Sequence, residues 1–180
     1  MKEELPIIKF LPEISEQLGA ARSLILQAEP GAGKSTEVPL YLINSDWLGS
    51  KKIIMLEPRR MAARNIANYL AQRLGEKVGE TVGYSVKNDK KVSEHTKLEI
   101  VTEGVLANRL QIDPELPDTG LIIFDEFHER SIYSDIALML SLEVQQSIRE
   151  DLRLLVMSAT IDTEYIACSG QLILATVLES

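Results

Sequence analysis

Five short runs of apolar residues, evenly distributed along the chain and each closed by turn-forming or charged residues, most constrain what this sequence can fold into. They are Leu24-Ile25-Leu26, Ile53-Ile54-Met55-Leu56, Leu98-Glu99-Ile100-Val101, Leu121-Ile122-Ile123-Phe124 and Leu154-Leu155-Val156-Met157, with Leu172-Ile173-Leu174 as a candidate sixth. Runs this short suit strands covered on both faces, and such strands are found in parallel sheets. Helical segments lie between them. Met61 to Leu74 offers Met61, Ile66, Leu70 and Leu74 for a buried stripe, and Ser131 to Ile148 repeats Ile132, Ile136, Leu140 and Val144 at every fourth position. The polar stretch Gly79 to Ser93, with Lys87, Lys90 and Lys91, reads as a turn or hairpin excursion, and residues 113–118 as a loop leading into the fourth run. The expected fold class is α/β, a mainly parallel sheet with helices on both faces.

The 180 residues suit one domain, and one cysteine, Cys168, excludes an internal disulfide framework. No apolar run approaches the ~18 residues of a membrane-spanning helix, so a soluble, cytoplasmic domain with no membrane partner is expected. A net charge of −8 looks unfavourable for nucleic acid, yet it is unevenly spread: residues 1–90 are net +2 and residues 91–180 net −10. Phosphate binding depends on the local surface, so the total does not exclude it.

Gly31-Ala32-Gly33-Lys34-Ser35-Thr36 follows the first run and opens a helix. Glycines there let backbone N–H groups converge on phosphate oxygens at a helix N-terminus. Lys34 would reach the β- and γ-phosphates and Ser35 would ligate Mg²⁺. The full phosphate-loop pattern asks for glycine at 28, where this chain has Ala28. The plain alternative is a glycine-rich turn that happens to precede Lys-Ser. Asp125-Glu126-Phe127-His128 ends the fourth run, and carboxylates at the carboxyl end of a strand point into the ligand crevice of an open α/β sheet. Asp125 would hold Mg²⁺ opposite Ser35, and Glu126 would orient and deprotonate a water. Taken alone, Asp-Glu would be read as a solvated turn; beside a phosphate loop that becomes the weaker reading. His128 by itself reads as an ordinary loop histidine, and two histidines with one distant cysteine make no zinc site.

In order and context, Gly31–Thr36, Asp125–His128 with Glu129-Arg130-Ser131, and Ser158-Ala159-Thr160 resemble motifs I, II and III of superfamily 2 helicases. Leu56-Glu57-Pro58-Arg59-Arg60 resembles motif Ia and Val101-Thr102-Glu103-Gly104 motif Ib. The Asp-Glu-x-His form resembles the DEAH/RHA class, and the arginine-rich string after Glu57 its bacterial HrpB-type branch. The resemblance covers nearly the whole chain and implies a RecA-like domain with a division of roles. Lys34, Asp125, Glu126 and His128 form the catalytic set. Gly31, Ala32, Gly33, Lys34, Ser35 and Thr36 hold the nucleotide, and Ser35, Asp125 and Glu126 stand on the metal side. Arg59, Arg60, Thr102 and Gly104 hold a nucleic-acid backbone, while Ser158 and Thr160 couple hydrolysis to movement. Arg59 and Arg60 also admit the plain reading of a solvated helix start.

Tyr69 falls where DEAH relatives usually carry an arginine that stacks on the base, a role that tyrosine can also fill. The implied cofactors are ATP, or another nucleoside triphosphate, and Mg²⁺. The implied partners are single-stranded nucleic acid, with RNA preferred, and a second RecA-like domain normally in the same chain. Residues 1–180 are accordingly expected to be the first RecA-like lobe alone, weak in hydrolysis without the second. The alternatives are a small-molecule phosphate-loop kinase, for which no lid or substrate pocket is visible, and a non-enzymatic nucleotide- or partner-binding module.

Overall fold

The computed structural model describes residues 5–129 and 131–160, together with the backbone of Ala175–Leu178. Arg130, Cys168 and the candidate sixth run at 172–174 lie outside the described residues. The strands are β1 (Ser23–Ala28), β2 (Lys52–Leu56), β3 (Val82–Val86), β4 (Asp89–Lys91), β5 (Leu98–Val101), β6 (Thr119–Phe124), β7 (Arg153–Ser158) and β8 (Ala175–Leu178). They form one sheet in the order β4-β3-β5-β2-β6-β7-β1-β8. Every pairing is parallel except the β3–β4 hairpin. The helices are α1 (Leu11–Ala20), α2 (Lys34–Leu42), α3 (Arg60–Arg73), α4 (Glu103–Ile112) and α5 (Ile132–Ser147).

The two-residue alternation of a strand assigns its side chains to opposite faces, and each of the five apolar runs feeds two cores. Leu24, Leu26, Ile53, Met55, Leu121, Ile123, Leu155 and Met157 pack with residues of α1, α2 and α3. Ile25, Ile54, Leu56, Ile122, Phe124, Leu154 and Val156 pack with α4 and α5. The apolar runs therefore reflect burial on both sides, as the sequence suggests.

Two helical stripes differ from expectation. In α3 the buried residues are Ala63, Ala67, Leu70 and Ala71, whereas Met61 and Leu74 are exposed. Alanines let the helix approach the sheet closely, and the larger side chains lie on its flanks. In α5 Val144 is buried but Ile132 and Ile136 are exposed; the inward face carries Ala137, Leu138, Ser141, Leu142 and Gln145. A strict four-residue spacing advances ~40° per step on a helix of 3.6 residues per turn, so a stripe of four such residues drifts ~120° and cannot stay on one face. The expected hairpin is present, but its first strand is fully buried: β3 pairs with β5 and joins the hairpin to the sheet.

Candidate functional site

In a parallel sheet the carboxyl ends of the strands share one edge, and that edge carries every motif. β1 leads into the phosphate loop, β7 into Ser158-Ala159-Thr160, β6 into Asp125-Glu126, β2 into Glu57-Pro58-Arg59 and β5 into Thr102. Strand order thus divides the edge into a phosphate-loop side (β1, β7, β6) and a far side (β2, β5, β3).

The loop depends on two left-handed glycines, Gly31 at φ +83° and Gly33 at φ +97°. Gly33 is the N-cap of α2 and is packed from behind: a Cβ there would come within 2.9 Å of Leu5 Cδ1 and 3.1 Å of Ile7 Cγ2. The Ile7 N–H also donates to the Ala32 carbonyl (3.2 Å), so the segment before α1 braces the loop. No sequence motif indicated this brace. Lys34 is buried, and its Nζ donates to the carbonyls of Ala28 and Glu29, the latter at 2.9 Å. Burial pulls its pKa down, opposed by the negative charges of Glu126 and Asp125. The ammonium therefore lies within the field of both carboxylates. Thr36 donates to Gly33 O (3.4 Å) and to Glu37 Oε1 (3.2 Å), within the loop and the first turn of α2.

Asp125 follows β6, its N–H donating to Leu56 O of β2 (3.0 Å). It is 2% exposed, and burial pushes its pKa up to about 6; a hydrogen bond with Ser35, the Glu126 N–H and the charge of Lys34 oppose that rise. One oxygen, Oδ1, accepts the Glu126 N–H at 2.9 Å, whereas Oδ2 is buried with no hydrogen-bond partner. An orphaned buried carboxylate oxygen beside a serine hydroxyl is chemically suited to a hard divalent cation. Among the described residues no group of three His, Cys, Asp or Glu could hold a metal, so such an ion would need phosphate and water oxygens as well.

Glu126 adopts φ +50°, a left-handed conformation that costs a non-glycine residue on the order of 1–2 kcal/mol. The next residue, Phe127, is buried edge-on against Phe124 with centroids 6.3 Å apart. Glu126 Oε2 lies 3.3 Å from His128 Nε2, and His128 Nδ1 accepts the Ala159 N–H at 3.4 Å. With Nδ1 accepting, the ring proton belongs on Nε2, facing the carboxylate. His128 thus bridges motif II to the loop after β7. There Ser158, buried, donates from Oγ to the Thr160 carbonyl.

On the far side Arg59 is paired with Glu129, which joins the end of β2 to motif II. Arg60 opens α3 and is exposed. Thr102 is the buried N-cap of α4, and Gly104 in its first turn is exposed, with open space where a side chain would stand. Tyr69 is half-exposed on α3. Glu57 went unassigned in the sequence reading. It is 2% exposed, and burial, with Asp125 and Glu126 nearby, pushes its pKa to about 7 against an opposing hydrogen bond from the Arg59 N–H. Its neighbours in sequence are legible, but its burial is not. The hairpin tip was also missed as part of this edge: β3 runs parallel to β5, and Thr102 N donates to Ser85 O (3.4 Å), so Lys87 follows at the same edge. Two surface clefts lie elsewhere; the one between α1 and α2, about 540 Å³, meets this region only at Glu37.

A parallel sheet with a glycine-rich phosphate loop on one strand and an Asp-Glu pair on a near neighbour is the architecture of a RecA-like helicase domain. The DEAD/DEAH box helicase family matches residues 9–167, and the chain belongs to it. It is 52% identical over 160 residues to the ATP-dependent RNA helicase HrpB of Escherichia coli (strain K12), covering 89% of this chain and 20% of that protein. Against the ATP-dependent RNA helicase DHX29 of Homo sapiens it is 37% identical over 173 residues, covering 91% of this chain and 13% of that one. The crystal structure of the Escherichia coli DEAH/RHA helicase HrpB superposes with a TM-score of 0.89 at 48% identity, over 96% of this chain and 22% of that chain. No helix among the described residues is long and apolar enough to cross a membrane.

Proposed function

We propose that residues 1–180 form the nucleotide-binding first RecA-like lobe of a DEAH-type, ATP-dependent RNA helicase acting in the cytoplasm. The observation that carries this reading is the convergence of Lys34, Ser35, Asp125 and Glu126: a buried ammonium in the field of two carboxylates, with an unpartnered Asp125 oxygen beside a serine hydroxyl. The glycine loop and the start of α2 bind the triphosphate, and Lys34 turns from the loop carbonyls to the β- and γ-oxygens. Ser35 and Asp125 hold Mg²⁺, which when bound neutralises charge developing on those oxygens. Glu126 takes a proton from the attacking water, and His128 reports its state to Ser158–Thr160. Arg60, Thr102, Gly104 and Lys87 hold the phosphates of a single strand along the far side, with Arg59 joining them when released from Glu129. Contacts of this kind are largely independent of sequence. A second RecA-like lobe completes the motor and supplies cationic groups to the γ-phosphate.

Steady-state NTP hydrolysis by the 180-residue chain, with and without single-stranded RNA, tests the reading alongside calorimetric titration with ADP. Mg²⁺-dependent ADP binding, lost in Lys34→Ala and retained in Glu126→Gln, is expected. A chain that binds no nucleotide, or one that transfers phosphate to a metabolite without regard to RNA, would overturn it.

A further inference from the structure

After β3 the chain turns at Lys87-Asn88 and returns as β4, an edge strand of three residues. Among the described residues β4 pairs with β3 alone, and so short an edge strand does little by itself to hold the turn still. Arg64 of α3 supplies a further tie. Its Nη2 lies 2.8 Å from Oδ2 of Asp89, the first residue of β4, and the same oxygen accepts the Tyr84 hydroxyl at 2.8 Å. Tyr84 is buried in β3, and the Arg64 guanidinium lies 6.0 Å from its ring centroid. Arg64 Nε is buried, with no hydrogen-bond partner among the described residues, so the guanidinium is turned into the seam between α3 and the hairpin. Lys87 and Asn88, by contrast, are exposed.

We infer that Arg64 is a positioning residue: by clamping Asp89 and Tyr84 it fixes the hairpin turn so that Lys87 meets a nucleic-acid backbone; this rests on the far-side reading above. Arg60, exposed at the start of α3, precedes Arg64 by one helical turn, so the clamp refers both phosphate ligands to the same helix. An ion pair as exposed as this one adds little stability. Its effect is geometric, because an oxygen shared by a guanidinium and a phenol leaves Asp89 few orientations. A turn fixed before binding spares Lys87 part of the ordering cost that a loose lysine meets when it takes a phosphate. Asp89 also keeps Arg64 occupied, so Arg64 contacts no phosphate itself.

The test separates a clamp from a contact. Oligouridylate is titrated into the 180-residue chain across a salt series, and the slope of log K against log salt is read for each variant. Lys87→Gln removes one phosphate contact and should make the slope shallower by about 0.7. Arg64→Met is expected to do the same, and K87Q with R64M together no more than either alone. Arg64→Lys, which keeps a cation beside Asp89, should retain most of the parent slope. Asp89→Asn gives opposite signs for the two roles: loosening the hairpin makes the slope shallower, whereas freeing Arg64 to take a phosphate would make it steeper. Circular dichroism checks that each variant is folded; should Arg64→Met not fold, Asp89→Asn decides by itself. Additive losses from Arg64 and Lys87, the parent slope in Arg64→Met, or a steeper slope in Asp89→Asn would overturn the inference while leaving the strand on this edge. A slope that Lys87→Gln does not change would overturn the far-side reading at the hairpin and the inference with it.

Discussion

At the scale of single residues, the two loop glycines have different reasons to be glycine. Both are left-handed, but a Cβ on Gly31 meets nothing within 4 Å, whereas one on Gly33 meets Leu5, Ile7 and Glu37. Gly31→Ala should therefore lose only the backbone preference, about 1 kcal/mol of unfolding free energy. Gly33→Ala should lose that and also displace the Leu5–Ile7 brace, costing 2 kcal/mol or more in urea unfolding. Asp125 makes a second prediction, through pH. Its folded pKa is raised to about 6 from an unfolded value near 3.9, so between these values the folded chain binds the extra proton and stability falls as pH rises. Glu57, raised to about 7, extends the fall to neutrality. Urea midpoints should be higher at pH 5 than at pH 7.5. Asp125→Asn should flatten the slope and stabilise the chain at pH 7.5 by on the order of 1–3 kcal/mol. Equal midpoints for parent and variant across that range would refute the assignment. The roles of Lys34, Asp125 and Glu126 could be proposed from sequence because chemistry constrains residue type and spacing. The Ile7 brace and the burial of Glu57 could not, since both depend on chain segments brought together only by the fold.

At the scale of elements, strands were easier to read than helices. A strand covered on both faces is apolar at nearly every position, and all five such runs became strands of the sheet. Helix faces differ from expectation in α3 because small alanines are the residues buried against the sheet, and in α5 because a strict four-residue spacing drifts around the helix. The hairpin was expected, but the burial of β3 and its place in the main sheet were not, because Val82-Gly83-Tyr84-Ser85-Val86 alternates polar and apolar residues although all five are buried. Its partner β5 explains how polar atoms are accommodated there. Glu99 of β5 receives two nitrogens of Arg109 from α4, at 2.9 and 2.6 Å, and also the Ser85 hydroxyl of β3. These bonds hold its carboxyl below the usual range despite the burial that would raise it. The pair docks α4, and with it Thr102 and Gly104, against the far side of the sheet. Arg109→Met should cost about 3–5 kcal/mol in denaturant unfolding, because Glu99 remains buried without its cation. E99Q with R109M should recover part of that loss, and equal stability of single and double variants would show that Glu99 is better solvated than its burial implies.

At the scale of the whole molecule, a net charge of −8 is compatible with the proposed nucleic-acid edge because the acidic excess lies in residues 91–180. That half includes Asp125 and Glu126, whose charges a phosphate-bound cation would offset, and Glu129, which occupies Arg59. Among the described residues, the cations left free on the far side are then few: Arg60, and Lys87 at the hairpin tip. Two phosphate contacts give a shallow dependence of binding on salt, with a slope of about −0.7 per contact for a single strand. For oligouridylate titrated into the 180-residue chain, a plot of log K against log salt should fall with a slope of about −1.4. Glu129→Gln frees Arg59 and should steepen the slope by about 0.7, while Lys87→Gln should reduce it by the same amount. A steep slope in the parent chain, unchanged by either substitution, would place the strand on another surface. A slope of zero would mean that the edge holds no phosphates, and the far-side residues would then have to be explained by packing alone.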